Sequence, residues 1–454
     1  MIDDTITAIA TPLGEGGLAV VRLSGTNALK IADACFRPLG MSSLPPSTAP
    51  SHTIHLGKIM RRGQAVDEVL LSVLRAPRTF TREDTVEISC HGGLLPARLV
   101  LETLLENGAR LATPGEFTRR AFLNGRIDLA QAEAVADLIH SRTELALAAA
   151  HEQLAGQLSR RINQLRDDLM KTLAHVEAHI DFPDEDIAPD TREQLLQRLR
   201  HAIAFMEELL RTANEGQILR RGIRAAIVGR PNAGKSSLLN QLLGHDRAIV
   251  SSIPGTTRDT IEETANIRGI PVLFIDTAGL RESANEIEIE GIRRSRQSLA
   301  SADLILHVLD LSQPLTPADE ALLADFPDKP RLVVRNKSDL PQKLELPAEP
   351  DAVSVCCLTG AGIEELKNAI KERVWAGEIP AEMLQVMINA RHQDALSRAR
   401  IAAARAVEAL ATGVALEFAA LDLRIAANAV GEIVGKTTTE DLLDAIFSQF
   451  CIGK

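Results

Sequence analysis

Gly229-Arg-Pro-Asn-Ala-Gly-Lys-Ser236 has the spacing GxxxxGK[ST] and follows an apolar run, Ile223–Val228. That combination is suited to polyphosphate. Asn232, Ala233, Gly234, Lys235, Ser236 and Ser237 line a turn at a helix N-terminus, the Lys235 ammonium reaches β/γ oxygens, and the Ser236 hydroxyl ligates Mg²⁺. Two further motifs follow in order. Asp276-Thr-Ala-Gly279 offers a carboxylate to hold the metal through water, with Thr277 and Ala278 leading to the Gly279 amide, which senses a γ-phosphate. In Asn336-Lys-Ser-Asp339, Asp339 can accept from both N1–H and the N2 amino group of guanine, a donor pair adenine lacks. Asn336 and Lys337 flank that site, so the nucleotide is GTP rather than ATP. Cys356-Cys357-Leu358 stands where a last guanine-contacting turn is expected, with backbone atoms free to do the contacting. Between the first two motifs, Ser251-Ser-Ile-Pro-Gly-Thr-Thr257 occupies the switch position. It includes Ser252, Pro254, Gly255 and Thr256, and Thr257 supplies a second hydroxyl to Mg²⁺.

One position departs from the common GTPase pattern. Leu280 follows Asp276-Thr-Ala-Gly279 where many small GTPases carry a water-orienting glutamine. Leucine cannot hydrogen-bond water, so another group must act. Asn232 is a candidate ligand for a monovalent cation that would replace the charge of an arginine finger. Glu286-Ile-Glu-Ile-Glu290 could supply a carboxylate, although a solvated helix face is the plainer reading of that stretch.

These motifs need a scaffold. Apolar runs at Ile223–Val228, Val272–Ile275, Leu304–Leu309, Leu332–Val334 and Val353–Val355 alternate with helical stretches across 218–380. That alternation predicts a doubly wound, mostly parallel sheet with helices on both faces. Residues 121–217 and 381–454 are rich in Ala, Leu, Glu and Arg and read as two parts of one helical domain into which the α/β domain is inserted. Pro183 ends one helix, and 401–421 reads as a single Ala-rich helix interrupted by charges rather than a membrane span. Residues 1–120 read as an α+β domain, with strand candidates Ile6–Ala10, Leu18–Leu23, Val69–Leu74 and Val86–Ser89 and a Pro/Ser-rich loop at Arg37–His52. Thr437-Thr-Thr-Glu440 reads as a capping box, opening a helix whose Leu442, Leu443, Ile446, Phe447 and Phe450 share a face.

With these residues in view, the sequence resembles the MnmE (TrmE) family of tRNA modification GTPases. The resemblance runs along nearly the whole chain: TPLGEGGLAVVRLSG at 11–25, FTREDTVEISCHGG at 80–93, PGEFTRRAFLNGRIDLAQAEAVADLI at 114–139, DFPDED at 181–186, GRPNAGKSSLLN at 229–240, IVSSIPGTTRD at 249–259, DTAGLRE at 276–282 and FCIGK at 450–454. It implies an N-terminal tetrahydrofolate-binding domain, a homodimer built largely through that domain, and a flavoprotein partner, MnmG. Together such proteins add an aminomethyl or carboxymethylaminomethyl group at C5 of the wobble uridine of certain tRNAs, with methylene-tetrahydrofolate or a related folate as the one-carbon source. It implies K⁺ near Asn232, Ser251, Ile253 and Thr256, Mg²⁺ on Ser236 and Thr257, and Glu288 as the carboxylate that orients water. Folate contacts fall on Arg22, Glu87, Arg126 and Lys454. Arginine suits the anionic glutamate tail of a folate and Glu87 the pterin edge, with Arg22 and Arg126 both open for the first role. Cys451 is either a buried structural cysteine or, on a tail that reaches the folate pocket, a reactive thiol.

The 454-residue chain has a formal net charge of −11, 3% aromatic residues and no tyrosine. Residues 1–120 carry 13 Lys+Arg against 12 Asp+Glu, and the remainder 37 against 49. A protein that grips single-stranded nucleic acid along its whole surface would be basic and rich in aromatics. Any direct tRNA contact is therefore expected to be local, with the partner providing most of the grip. The competing reading is a GTP-dependent RNA or ribosome-assembly switch, which usually appends a basic module that is absent here. A folate-binding scaffold with a vestigial G domain is opposed by the intact Lys235, Ser236, Asp276 and Asp339. Cys35, Cys90, Cys356, Cys357 and Cys451 have no CxxC spacing, so free thiols in a reducing cytoplasm are expected. His175 and His179 are spaced i, i+4, for which a satisfied helix face is a better reading than a metal pair, and His91 is either a folate-site neighbour or a loop histidine.

Overall fold

Period-two alternation builds the N-terminal sheet. The strands are Thr5–Ile9 (β1), Leu18–Gly25 (β2), Phe36–Pro38 (β3), Thr53–Arg61 (β4), Gln64–Leu74 (β5), Thr85–His91 (β6) and Arg110–Leu111 (β7), in spatial order β3-β4-β5-β6-β2-β1-β7. In β2, Ala19, Val21 and Leu23 are buried, while Val20 and Arg22 between them are only half-buried. Antiparallel pairing with β6 sets Arg22 directly opposite Glu87. The helices Ala28–Cys35 and Leu94–Glu106 bury Ile31, Ala97, Val100 and Leu104 against the strand residues Val21, Ile59, Leu71 and Ile88.

The sequence signalled four of these strands and missed β3, β4 and β7. In β4 the large apolar residues Ile54 and Leu56 are 67% and 49% exposed, so the face that should have looked polar does not. Its inner face includes Gly57, where a Cβ would lie 2.3 Å from the Phe36 ring.

The computed structural model describes residues 4–40, 44–181, 189–244, 263–275, 300–324, 327–345, 352–375, 384–413 and 415–453. They fall into two compact units, one comprising 1–136, 162–166 and 427–454, the other 137–161 and 167–426.

In the first unit the helix Glu440–Phe447 places Leu443, Ile446, Phe447 and then Phe450 against Leu129 and Ala132. Its N-cap is Thr439, whose hydroxyl accepts from the Leu442 amide. The capping box expected from Thr437 is therefore not formed. The Thr437 hydroxyl instead donates to the Asn428 carbonyl at 2.7 Å. The helix Glu116–Leu123 starts at Gly115, where φ is +66° and a Cβ would lie 2.6 Å from the Phe447 carbonyl oxygen.

The second unit contains a six-stranded sheet ordered β13-β12-β11-β8-β10-β9, from Ile223–Val228 (β8), Glu263–Ile267 (β9), Ile270–Ile275 (β10), Leu304–Asp310 (β11), Arg331–Asn336 (β12) and Ala352–Ser354 (β13). All its pairings are parallel except β9 with β10. The sequence signalled the five parallel strands and missed the hairpin. ETANI in β9 mixes charge with small residues, and its turn uses Arg268 and Gly269 at φ +54° and +90°. The core is near-continuous Val, Ile and Leu, as expected for a sheet covered on both faces, and it includes Trp375 at 4% exposure.

The helical part contains Gln157–Asp181, Pro189–Arg211, Ala390–Thr412 and Leu416–Val434. The expected single helix over 401–421 is two helices. Gly413, at φ +74°, ends the first in the left-handed conformation, and the Arg192 guanidinium donates to the carbonyls of Leu410 and Ala411 there. Among the described residues, no helix is long and apolar enough to cross a membrane.

Candidate functional site

The phosphate-type loop leaves β8 at Gly229, where φ is +149° and a Cβ would lie 2.2 Å from the Val308 carbonyl oxygen. Asn232 adopts φ +64°, a left-handed conformation that asparagine tolerates better than most residues, and its side chain is exposed. Gly234, at φ +94°, precedes the helix Lys235–Leu243, and a Cβ there would lie 2.0 Å from the Asn336 amide nitrogen. That amide donates to the Ala233 carbonyl at 2.9 Å. The Asn336 side chain thus ties the phosphate loop after β8 to the guanine motif after β12, across the carboxyl end of β11 between them, where ligands bind in open α/β sheets. The Lys235 ammonium donates to the carbonyls of Gly229 and Arg230, at 2.9 Å each. Burial lowers its pKa, and a polyanion in the loop would oppose that shift. Ser236 and Ser237 are exposed on the first helical turn.

At the guanine end, Asp339 is exposed and accepts from the Cys356 thiol at 3.2 Å. The Cys357 amide donates to Asn336 Oδ1 at 3.3 Å, and the Gln241 amide donates to the Cys357 carbonyl at 2.8 Å. Leu358 is 86% exposed. Cys356 and Cys357 are free thiols, and burial pushes Cys357 up to about 11. Two further residues went unseen in the sequence. Asp310 receives the Lys337 ammonium at 2.6 Å and two hydrogen bonds from Ser312. Burial alone would raise its pKa, yet these partners hold it below the usual carboxylate range. Asp319, 1% exposed, binds the Arg230 guanidinium of the loop at 2.9 Å. Position at a strand end could have flagged Asp310. Nothing in the sequence pairs Asp319 with Arg230.

Several site residues named from the sequence lie outside the described residues: Ser251, Ser252, Ile253, Pro254, Gly255, Thr256, Thr257, Asp276, Thr277, Ala278, Gly279, Glu288 and Lys454.

A second constellation lies on the N-terminal sheet. Arg22 donates through Nε to Glu87 at 2.8 Å, stacks on the Phe117 ring at 5.6 Å, and reaches the Gly453 carbonyl at 3.3 Å. Gly453 has φ +97°, and a Cβ there would lie 2.6 Å from the Ile9 carbonyl oxygen. The Cys451 carbonyl accepts from the Gly115 amide at 3.3 Å, while the Cys451 residue is exposed, which removes the reading as a buried structural cysteine. Arg126 covers the Phe80 ring at 4.8 Å, and Phe80 packs on the cluster that contains Phe117. The structure thus brings Arg22, Glu87 and the C-terminal tail together, with Arg126 on the neighbouring aromatic. The His91 ring contacts Asp67 at 2.7 Å on the exposed end of β6. His175 and His179 face each other, with centroids 5.3 Å apart, and no metal-binding cluster exists among the described residues.

Residues 129–451 match the family model for the MnmE helical domain, and residues 5–126 match the GTP-binding protein TrmE N-terminus. The chain belongs to the MnmE family. It is 49% identical to the tRNA modification GTPase MnmE of Geobacillus thermodenitrificans, with 99% of each chain covered. It is 50% identical to that of Chloroflexus aurantiacus, with 100% of each covered. Among solved structures, Aquifex aeolicus Era bound to GDP and aluminium fluoride is 31% identical over 40% of this chain and 66% of that one, with a TM-score of 0.26. As an MnmE-family member the chain has the N-terminal, helical and G-domain architecture, binds GTP with Mg²⁺, and is a GTP hydrolase acting in tRNA modification.

Proposed function

We propose that this chain is a K⁺-activated GTPase. With the flavoprotein MnmG it adds an aminomethyl or carboxymethylaminomethyl group at C5 of the tRNA wobble uridine, using a methylene-tetrahydrofolate one-carbon unit. Residues 1–120 are the folate-binding and dimerisation domain, 121–217 and 381–454 the helical domain, and 218–380 the G domain. The observation that carries the folate reading is the Arg22–Glu87 pair facing the tail at Gly453. It puts a fixed cation, a carboxylate acceptor and aromatic faces in one half-buried place, which is the donor set a folate's anionic tail and pterin edge call for.

In the G domain the residues fit the ions the reading needs. Gly229 and Gly234 let the loop backbone pass close against the Val308 carbonyl and the Asn336 amide, and Ser236 lies on the first turn of the helix that follows; Ser236 and Thr257 would hold Mg²⁺. Asn232, exposed in its left-handed turn, would hold K⁺ with Ser251, Ile253 and Thr256. Such a cation would supply the positive charge of an arginine finger, while the water-orienting role that Leu280 cannot fill falls to Glu288. Lys235 orients the β/γ oxygens, Asp339 selects guanine, and Glu288 positions the attacking water. Cys451, on the anchored tail, is a candidate thiol at the folate site. The chain works as a homodimer in the cytoplasm.

The test is mass spectrometry of wobble uridine in tRNA from cells lacking this gene, complemented by the wild type or by Glu87→Gln. The expected result is loss of the modification in the knockout, rescue by the wild type, and no rescue by Glu87→Gln, which should still hydrolyse GTP. Full modification in the knockout would overturn the reading.

A further inference from the structure

The loop from Ala76 to Asp84 turns its carboxylates inward and leaves Arg78 and Arg82 exposed. Glu83 accepts from Ser24 at 2.8 Å and from the buried Arg120 guanidinium at 3.3 Å. Asp84 accepts from the Ala76 amide at 2.9 Å. Neither carboxylate pairs with an arginine of its own loop. Arg78 is exposed and makes no hydrogen bond or ion pair with any described residue. Arg82 is exposed, and among the described residues its guanidinium hydrogen-bonds only the Asn124 carbonyl, at 2.9 Å. Arg126, also exposed, donates to the Phe80 carbonyl at 3.3 Å. The loop and the turn at 124–126 therefore clasp each other. Arg82 reaches across to Asn124, Arg126 reaches back to Phe80, and the Asn124 side chain donates to the Thr81 carbonyl at 2.7 Å.

Among the described residues, Arg82 and Arg126 thus bind carbonyls, Arg78 binds nothing, and none of the three pairs with a carboxylate. Elsewhere in the same unit Arg61, Arg98, Arg110 and Arg119 all pair with carboxylates. Uncompensated guanidiniums on a chain of net charge −11 form a local positive surface, and planar five-donor forks suit phosphate oxygens. Phe80, under Arg126, packs on the cluster containing Phe117, under Arg22. Arg126, which the loop carrying Arg78 and Arg82 clasps, thus lies beside the Arg22–Glu87 constellation. A one-carbon unit can only reach a base if the RNA strand carrying that base comes to the donor.

We propose that Arg78 and Arg82 form the surface on which this chain takes the phosphate backbone of its tRNA substrate, with Arg126 behind them on the folate side. Its place at the mouth of the donor site rests on the folate reading above; its charge character does not. The contacts are to phosphates, so they position the strand and carry no sequence information. Discrimination among tRNAs comes from elsewhere.

The experiment measures binding of fluorescently labelled tRNA to the full chain by anisotropy across a KCl series, without nucleotide. The proteins are the wild type, Arg78→Gln, Arg78→Gln/Arg82→Gln and Arg82→Lys, with tetrahydrofolate binding measured in parallel. Because Arg78 has no described partner, its substitution leaves the fold intact, and Arg82→Lys keeps the charge. The double variant should bind tRNA about tenfold more weakly at low salt, with the log–log salt slope shallower by roughly one to two. Arg78→Gln should show about half that change and Arg82→Lys little, with folate affinity unchanged throughout. An unchanged slope, or no tRNA binding by the wild type at low salt, would overturn the proposal. So would loss of folate with tRNA binding retained, since the arginines would then serve the folate tail. A wild type that binds no folate while the tRNA slopes change as described would leave this surface standing and remove the folate reading instead.

Discussion

Gly234 shows how little freedom the phosphate loop has. Its φ of +94° suits glycine, and the space where a side chain would begin is taken by the Asn336 amide. Gly234→Ala should reduce GTP affinity by roughly ten- to a hundredfold, through backbone strain and displacement of Asn336, as read by titration with a fluorescent GTP analogue. A second residue-scale consequence concerns His307. It is fully buried on β11, and neither ring nitrogen has a hydrogen-bond partner among the described residues. Burial, aided by the Arg331 charge, pushes the imidazole from 6.5 down to about 4. The folded state thus resists a proton that the unfolded chain accepts. Stability is full above the unfolded value, declines as pH falls from 6.5, and bottoms out near 4. The loss is at most about 3 kcal/mol. His307→Leu should flatten the decline, and urea titrations at pH about 7 and about 5 would detect it. A variant with the wild-type acid sensitivity would assign the effect to other groups.

The helix Pro317–Ala324 has its charge inside its first turn. The Thr316 amide and hydroxyl both donate to Asp319 Oδ2, which also receives Arg230 from the phosphate loop. One oxygen therefore caps a helix and anchors the loop whose carbonyl holds Lys235. Asp319→Asn should lower stability by about 2 kcal/mol and weaken GTP binding severalfold. A lower melting temperature with unchanged GTP affinity would limit Asp319 to capping. At this scale the legibility of the sequence varied with how local each signal was. The phosphate loop and guanine motif are contiguous runs of special residues following apolar strands, and they emerged where expected. The hairpin β9–β10 and strand β4 did not stand out, since β9 is polar and β4 carries Ile54 and Leu56 on its exposed face. Asp319 was illegible because its partner lies 89 positions earlier in the sequence. Thr439 was overlooked for Thr437 because three consecutive threonines offer the same chemistry and only the turn at Gly435 and Lys436 decides among them.

For the molecule as a whole, GTP turnover should depend on which monovalent cation is present. Turnover in KCl should exceed that in NaCl by roughly tenfold or more, and Asn232→Ala should remove the difference. Equal rates in the two salts would dismiss a cation at Asn232. The charge pattern gains a meaning at this scale. The acidic remainder of the chain would repel RNA, so the proposed arginine surface is set in the near-neutral stretch 1–120, where the charge balance opposes a strand least. The lone tryptophan has a practical counterpart. Trp375 is buried in the core of the G-domain sheet, and the chain has no tyrosine. Light absorbed at the red edge of the protein band therefore excites a single indole, in one of the two units. In a denaturant series the emission of the intact chain follows that unit alone, while far-ultraviolet circular dichroism follows both. The gap between the two curves reads out how far the N-terminal sheet and the G domain melt independently, with no label attached.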